Sequence, residues 1–194
     1  MDSVIFWIVV VAVVIVGVAI IFARKMPRGP AVPDSLKPGQ PLPAFSAIND
    51  AGESMNSSDL VGAPAVILFV RGNWCPFCSK QVEKLTEHYK QIVAGGARLI
   101  FVTPKPLETT KRVAEFFKVE FEFWLDESLE IARSLGLVQP GGVPKDHVEE
   151  YGSDTVWPTA IIVDKDGIIR YSKLSRYIID RPDPELLSKE LNKL

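Results

Sequence analysis

The sequence predicts an α/β domain with a mixed central sheet covered on both faces, preceded by one N-terminal transmembrane helix. Three observations predict it. Val4 to Phe22 is nineteen residues without a charge. Downstream, apolar runs of strand length alternate with amphipathic stretches of helical period, the pattern of helices packed on a sheet. Near the end, two apolar runs are joined by Asp164-Lys165-Asp166-Gly167, a turn with hairpin chemistry.

The N-terminal run comes first. At 1.5 Å per residue a helix over it is roughly 28 Å long, the thickness of a hydrocarbon core. It is apolar all round, unlike a soluble surface helix. A cleaved signal peptide fits poorly, because a basic leader and a small-x-small site are missing and the run is long. Residues 1–23 are therefore expected to be an anchor. Arg24, Lys25, Arg28 and Lys37 follow it and only Asp2 precedes it. The positive-inside rule then places the C-terminal domain in the cytoplasm, with an extracytoplasmic domain as the alternative. Residues 24–43 carry Pro27, Pro30, Pro33, Pro38, Pro41 and Pro43, which predicts a semi-rigid extended spacer holding the domain off the bilayer. Residues 44–194 remain, enough for one core. They hold 18 basic and 22 acidic residues with no basic stripe, so nucleic acid is excluded as a partner.

The elements of the domain follow in order. Phe45 to Asn49 reads as a strand closed by the turn Asn49-Asp50-Ala51-Gly52, and Ser57 to Leu60 as a helical turn. Ala65 to Val70 is continuously apolar and suits a strand buried on both faces. Cys78, Val82, Leu85, Tyr89 and Ile92 recur at spacings of 4, 3, 4 and 3, one stripe of a helix that Pro76 opens and Gly95-Gly96 stops. Arg98 to Val102 is the next strand. A helix over Glu108 to Lys118, with Val113, Phe116 and Phe117 inward, a strand over Phe121 to Leu125 and a helix over Glu127 to Leu135 follow. Val138 to Val156 reads as a long irregular loop. Thr159 to Val163 and Ile168 to Tyr171 form the hairpin, and Pro184 to Leu191 the closing helix. No internal repeat is evident.

Cys75 and Cys78 are the chain's only cysteines, in Arg71-Gly72-Asn73-Trp74-Cys75-Pro76-Phe77-Cys78. A strand ending in Cys-x-x-Cys at the mouth of a helix is the sequence form of a dithiol redox centre. A helix N-terminus favours thiolate over thiol, so Cys75 is the expected attacking sulfur, accessible at the helix tip. Cys78, on the buried stripe, is close enough to resolve a mixed disulfide. Pro76 and Phe77 add no charge, which predicts a potential between the extremes of about -270 and -120 mV known for such dithiols. No cofactor and no resident metal is expected. The alternative of a copper carrier, using both cysteines and His147, lacks the Cys-x-x-x-Cys spacing of anchored copper-assembly proteins. Trp74 either packs over Cys75 or serves as a core aromatic. The loop before Pro158 is expected to border the site and to select partners.

The strand followed by Trp74-Cys75-Pro76-Phe77-Cys78 and a helix resembles the thioredoxin fold, and Trp157-Pro158-Thr159 is similar to that fold's cis-proline loop. From Phe45 to about Tyr171 the chain resembles the redoxin branch that includes the AhpC/TSA-type peroxiredoxins. The N-terminal hairpin, Phe123-Trp124-Leu125-Asp126 and Ile162-Val163-Asp164-Lys165-Asp166-Gly167 carry that resemblance. It implies a membrane-anchored thiol–disulfide oxidoreductase whose partner is a protein thiol or disulfide or a small thiol reductant, or alternatively a peroxidase acting on a hydroperoxide through Cys75. The family's proline and threonine, seven and three residues before the peroxidatic cysteine, are replaced here by Leu68 and Gly72. Its arginine before the late hairpin is replaced by Pro158, and thioredoxin's buried aspartate by Phe69. Arg71 is the one nearby residue able to substitute as a donor.

Overall fold

The computed structural model describes residues 2–25, 28–105 and 121–194. Helix α1 (Asp2–Lys25) contains the apolar run, and Ser3–Ile21 is long and apolar enough to cross a membrane. The strands β1 (Ser46–Asn49), β2 (Ser54–Asn56), β3 (Ala65–Phe69), β4 (Arg98–Thr103), β5 (Glu122–Leu125), β8 (Thr159–Val163) and β9 (Ile169–Leu174) form one sheet in the order β2-β1-β5-β4-β3-β8-β9. β3, β4 and β5 are parallel, and β1, β2, β8 and β9 join antiparallel, which makes the sheet mixed as expected. β3 and β8 are buried at every residue because both lie inside the sheet.

Alternation along these strands builds two cores. Val66, Leu68, Phe101 and Ile162 face helix α2 (Pro76–Val93), whose stripe Cys78, Val82, Leu85 and Ile92 is buried against them. The closing helix (Pro184–Leu191) packs beside α2 and buries Leu187 in the same core. Ile67, Phe69, Ile100, Val102, Ile161 and Val163 face the other way, onto Trp124, Leu135, Leu137 and Leu36.

The structure departs from the sequence reading at several points. The helix over Glu127 to Leu135 is only the short α3 (Glu130–Ser134), because Leu129 before it sits in the left-handed region at φ 57°. The Asp126 carboxylate accepts from the N–H groups of Ile131 (3.0 Å) and Ala132 (2.8 Å), satisfying the new helix end. The segment from Val138 to Val156 is not irregular. It is pinched by a two-stranded ribbon of β6 (Val138–Gln139) and β7 (Thr155–Val156) and carries the one-turn helix α4 (Val148–Tyr151); the closing helix is then α5. The proline-rich stretch, expected to stand free as a spacer, lies along β9 instead. Gly39 N–H donates to Ile169 O (2.8 Å), Ile169 N–H to Gln40 O (2.9 Å) and Leu42 N–H to Gly167 O (2.9 Å), while Leu36 is fully buried. An exposed edge strand offers unpaired backbone groups, and this strap takes up those of Ile169 at the start of β9. The helix expected over Glu108 to Lys118 lies outside the described residues.

Candidate active site

β3 ends at Phe69 and its ladder continues one residue further, through Val70 N–H to Val102 O (2.9 Å). The chain then turns at Gly72, whose φ of 119° only glycine adopts readily. A side chain there would also collide with Tyr151, whose Cε1 lies 2.6 Å from where a Cβ would stand. The threonine of the resembled pattern therefore has no room at this position. Cys75 follows as the N-cap residue of α2, with Pro76 at the first helical position. Its carbonyl accepts from the N–H groups of Cys78 (3.0 Å) and Ser79 (3.2 Å).

The two sulfurs share one negative charge. The Cys75 thiol is lowered to about 5, first because the Cys78 thiol donates to it, then through the Cys78 backbone N–H and the charges of Arg181 and Arg71, with burial opposing. Cys78 is pushed up for the reciprocal reasons, chiefly its bond to Cys75 and its burial. Around Cys78 Sγ stand the N–H of Arg71 (3.4 Å) and Nη2 of Arg181 (3.5 Å). Arg71 is itself buried, which draws its pKa down while the cysteines draw it up. It remains a cation, because guanidinium groups do not deprotonate in proteins.

Both cysteines are free thiols. Cys75 is not accessible at the helix tip as the sequence suggested; it is only 1% exposed. It lies at the base of a cleft of about 350 Å³ walled by Arg71, Trp74, Phe77, Gln139 and the 141–144 segment. The 138–156 segment does border the dithiol. Arg71 Nη2 donates to Gly142 O, the His147 ring stacks on Trp74 at 6.0 Å, and Tyr151 meets Trp74 edge-on at 6.2 Å. Lys105, almost wholly buried, pins α4 from beneath through Glu150 and lies 3.6 Å from the Tyr151 ring centre. Trp74 is thus a wall of the cleft, with the Arg71 guanidinium 4.5 Å from its ring centre.

Of the residues expected at the site, Arg71, Trp74, Cys75, Pro76 and Phe77 gather on this cleft and Cys78 lies beneath it. Trp157, Pro158 and Thr159 do not line it. Trp157 is packed in the opposite core and donates its N–H to Leu137 O (2.7 Å), and the Thr159 hydroxyl donates to Trp157 O (2.9 Å). Nor is the bond before Pro158 cis; it is trans. The chain runs extended from β7 into β8, where proline's fixed φ fits and its missing N–H leaves no donor unpaired. The sequence reading missed Gln139, Gly142 and Arg181. Arg181 lies 103 positions beyond Cys78 and no local pattern marks it.

The AhpC/TSA family pattern matches residues 38–172. Chloroplastic peroxiredoxin Q of Sedum lineare is 24% identical over 134 residues, covering 68% of this chain and 66% of that protein. That of Populus jackii is 24% identical over 99 residues, covering 51% and 46%. The chain thus spans about half to two thirds of the length of these curated relatives. Among solved structures, peroxidoxin BcpB of Mycobacterium tuberculosis superposes with a TM-score of 0.68 at 18% identity, covering 82% of this chain and 98% of that one. AhpC of Enterococcus faecalis gives 0.64 at 18% identity, covering 80% and 91%. These likenesses establish the thioredoxin-like, peroxiredoxin-type fold. With a pattern match that starts inside the strap, contains both cysteines and runs through most of β9, the chain belongs to the AhpC/TSA family.

Proposed function

We propose that the chain is a membrane-tethered thiol peroxidase in which Cys75 is the attacking thiolate and Cys78 the resolving thiol. One observation carries the reading: an acidified sulfur, its pKa about 5, lies 1% exposed in the lining of a cleft of about 350 Å³. With the sulfur this little exposed, a small oxidant suits the site better than a bulky protein disulfide. The thiolate attacks the terminal oxygen of a hydroperoxide. The S–O bond forms as O–O breaks, and the leaving alkoxide takes a proton to become an alcohol. Cys75 is now a sulfenic acid. The Cys78 thiol attacks it, water leaves, and a Cys75–Cys78 disulfide remains for a small thiol or dithiol protein to reduce. The names of the relatives agree with this reading. Thiol–disulfide exchange, the first reading of the sequence, is the second here; the hydrogen bond between two thiols one turn apart favours it.

Stopped-flow mixing of the reduced chain with hydrogen peroxide and with tert-butyl hydroperoxide separates the two. The expected result is sulfenic acid at Cys75 at a rate at least about a hundredfold above free cysteine, lost in Cys75→Ser. A rate near that of free cysteine, with insulin-type disulfide reduction intact, would leave only exchange. The anchor is proposed from the apolar Ser3–Ile21 segment, and a cytoplasmic domain from the basic residues that follow it.

A further inference from the structure

The strap ties α1 to one end of the sheet. Gly29 N–H donates to Arg176 O (2.9 Å), and Ser175 N–H donates to Pro158 O (2.8 Å). Leu174 pairs with Thr159 and Thr159 with Phe69, so the strap arrives two strands, about 10 Å, from where β3 delivers the chain to the dithiol. Gly29 is only four residue steps beyond Lys25, the end of α1, and Lys25 four beyond Ile21, the end of the apolar span. An extended chain reaches at most about 3.6 Å per residue and a helix rises 1.5 Å, so Gly29 lies within about 20 Å of that span. The dithiol end of the sheet is therefore the end held to the membrane. Val61 and the 164–167 turn, where Gly62 N–H donates to Lys165 O (2.7 Å), lie at the other end of β9, about 20 Å along the strand.

The surface at this tethered end is both apolar and basic. Ile179 is 54% exposed and Phe77 38%, although both are large and apolar. Phe77, Lys80 and Lys84 share one face of α2, and with Ile179 and Arg181 they line a groove of about 290 Å³. Arg28 and Arg176, both exposed, flank the point where the strap arrives. The acids nearby are engaged: Asp180 binds Lys173 (2.6 Å), and Asp183 caps α5 and lies 3.8 Å from Lys84. We propose that Phe77, Lys80, Lys84, Arg176 and Ile179 form a face that rests on the anionic surface of the bilayer holding α1. The face presupposes the anchor proposed above, not the peroxidase reading. Its apolar side chains enter the headgroup boundary, and its cations pair with lipid phosphates. Two apolar and three basic side chains are too few to hold a free domain on lipid. The tether supplies the remainder, because it keeps the face at high effective concentration beside the bilayer. Phe77 and Ile178, the neighbour of Ile179, also line the Cys75 cleft, so docking sets the cleft beside the headgroup layer.

The test is amine footprinting of the full chain in lipid nanodiscs, with an N-hydroxysuccinimide ester as the probe and mass spectrometry to read each lysine. Lys80 and Lys84 report on the face, and Lys165, exposed at the other end of β9, is the reference. Replacing about a third of the phosphatidylcholine by phosphatidylglycerol is expected to slow labelling of Lys80 and Lys84 by about fivefold relative to Lys165, and about 1 M salt to reverse most of that. The double variant Arg176→Glu with Ile179→Asp leaves both thiols in place and is expected to return the two lysines to their rates in neutral discs. Unchanged labelling of Lys80 and Lys84, equal slowing of all three lysines, or protection that persists in the double variant overturns the docking face. Failure of the full chain to float with liposomes would instead remove the anchor, and the face with it.

Discussion

Two sulfurs one turn apart cannot both ionise in a buried site, so what surrounds each decides which one carries the charge. Cys75 receives hydrogen bonds from Cys78 and the field of two guanidinium groups; Cys78 gives up its proton last because it is the donor and the deeper of the two. Alkylation of Cys75 against pH should therefore have its midpoint near 5, well below the ordinary thiol value of about 8.5. Arg181, whose charge is named among the causes and whose Nη2 touches Cys78 Sγ, should matter at a distance from the substrate. Arg181→Ala is expected to move that midpoint up by on the order of one pH unit, leaving roughly a tenth of the thiolate at pH 4. An unmoved midpoint would assign the acidity to Cys78 and Arg71. Stability follows with opposite signs for the two thiols. A depressed Cys75 stabilises the reduced fold above the ordinary thiol pKa, and that stability is lost as pH falls toward 5. A raised Cys78 stabilises it below the ordinary value and loses this as pH climbs above it. Chemical denaturation of the reduced protein should thus be hardest near pH 8, and the oxidised form, which has neither thiol, should show no such maximum.

At the scale of elements, Asp126 tests how a short helix is held. Its carboxylate caps α3 with two backbone bonds while burial raises its pKa, so the contact is made against a desolvation cost. Asp126→Ala leaves two buried N–H groups unpaired and should lower stability by about 2–4 kcal/mol in urea unfolding. A loss under about 0.5 kcal/mol would mean that water replaces the cap. The element also shows what a linear pattern conveys. The α2 stripe from Cys78 to Ile92 and the boundaries of α5 were legible because Pro76 and Pro184 mark starts and the apolar period is unbroken. The start of α3 was not, because Leu129 takes a left-handed conformation set by tertiary packing rather than by its own preference. The 138–156 segment was misread for a related reason: β6 and β7 are two residues each, too short for a period, and exist only because they pair with each other across the chain. The dithiol was legible from one motif, but Gln139 and Gly142, which complete its cleft, and Arg181, which meets Cys78 Sγ, reach it from elements distant in sequence.

For the whole molecule, the strap decides where the folded unit begins. The sequence suggested a boundary after residue 43, on the argument that proline-rich chain is a spacer. In the structure the hydrogen-bonded strap begins further upstream, where Gly29 N–H donates to Arg176 O (2.9 Å) and a side chain on Gly29 would strike Ser175 O. Leu36 is then buried in the core beneath the sheet. Proline stiffness is compatible with either outcome. What decides is that Leu36 has an apolar place to go and that β9 has an edge to cover. Three chains distinguish the cases: full length, residues 28–194 and residues 44–194. The full chain should float with liposomes, and both truncations should stay in solution, since α1 carries the apolar span. Residues 28–194 should unfold in urea at the midpoint of the detergent-solubilised full chain's domain. Residues 44–194 should lose roughly 3–5 kcal/mol and bind an apolar dye, because β9 is uncovered and the Leu36 site is empty. Leu36→Ala within residues 28–194 should reproduce about 2–4 kcal/mol of that loss. Equal stability of the two truncations would return the strap to a simple tether and move the start of the domain to the position read from sequence.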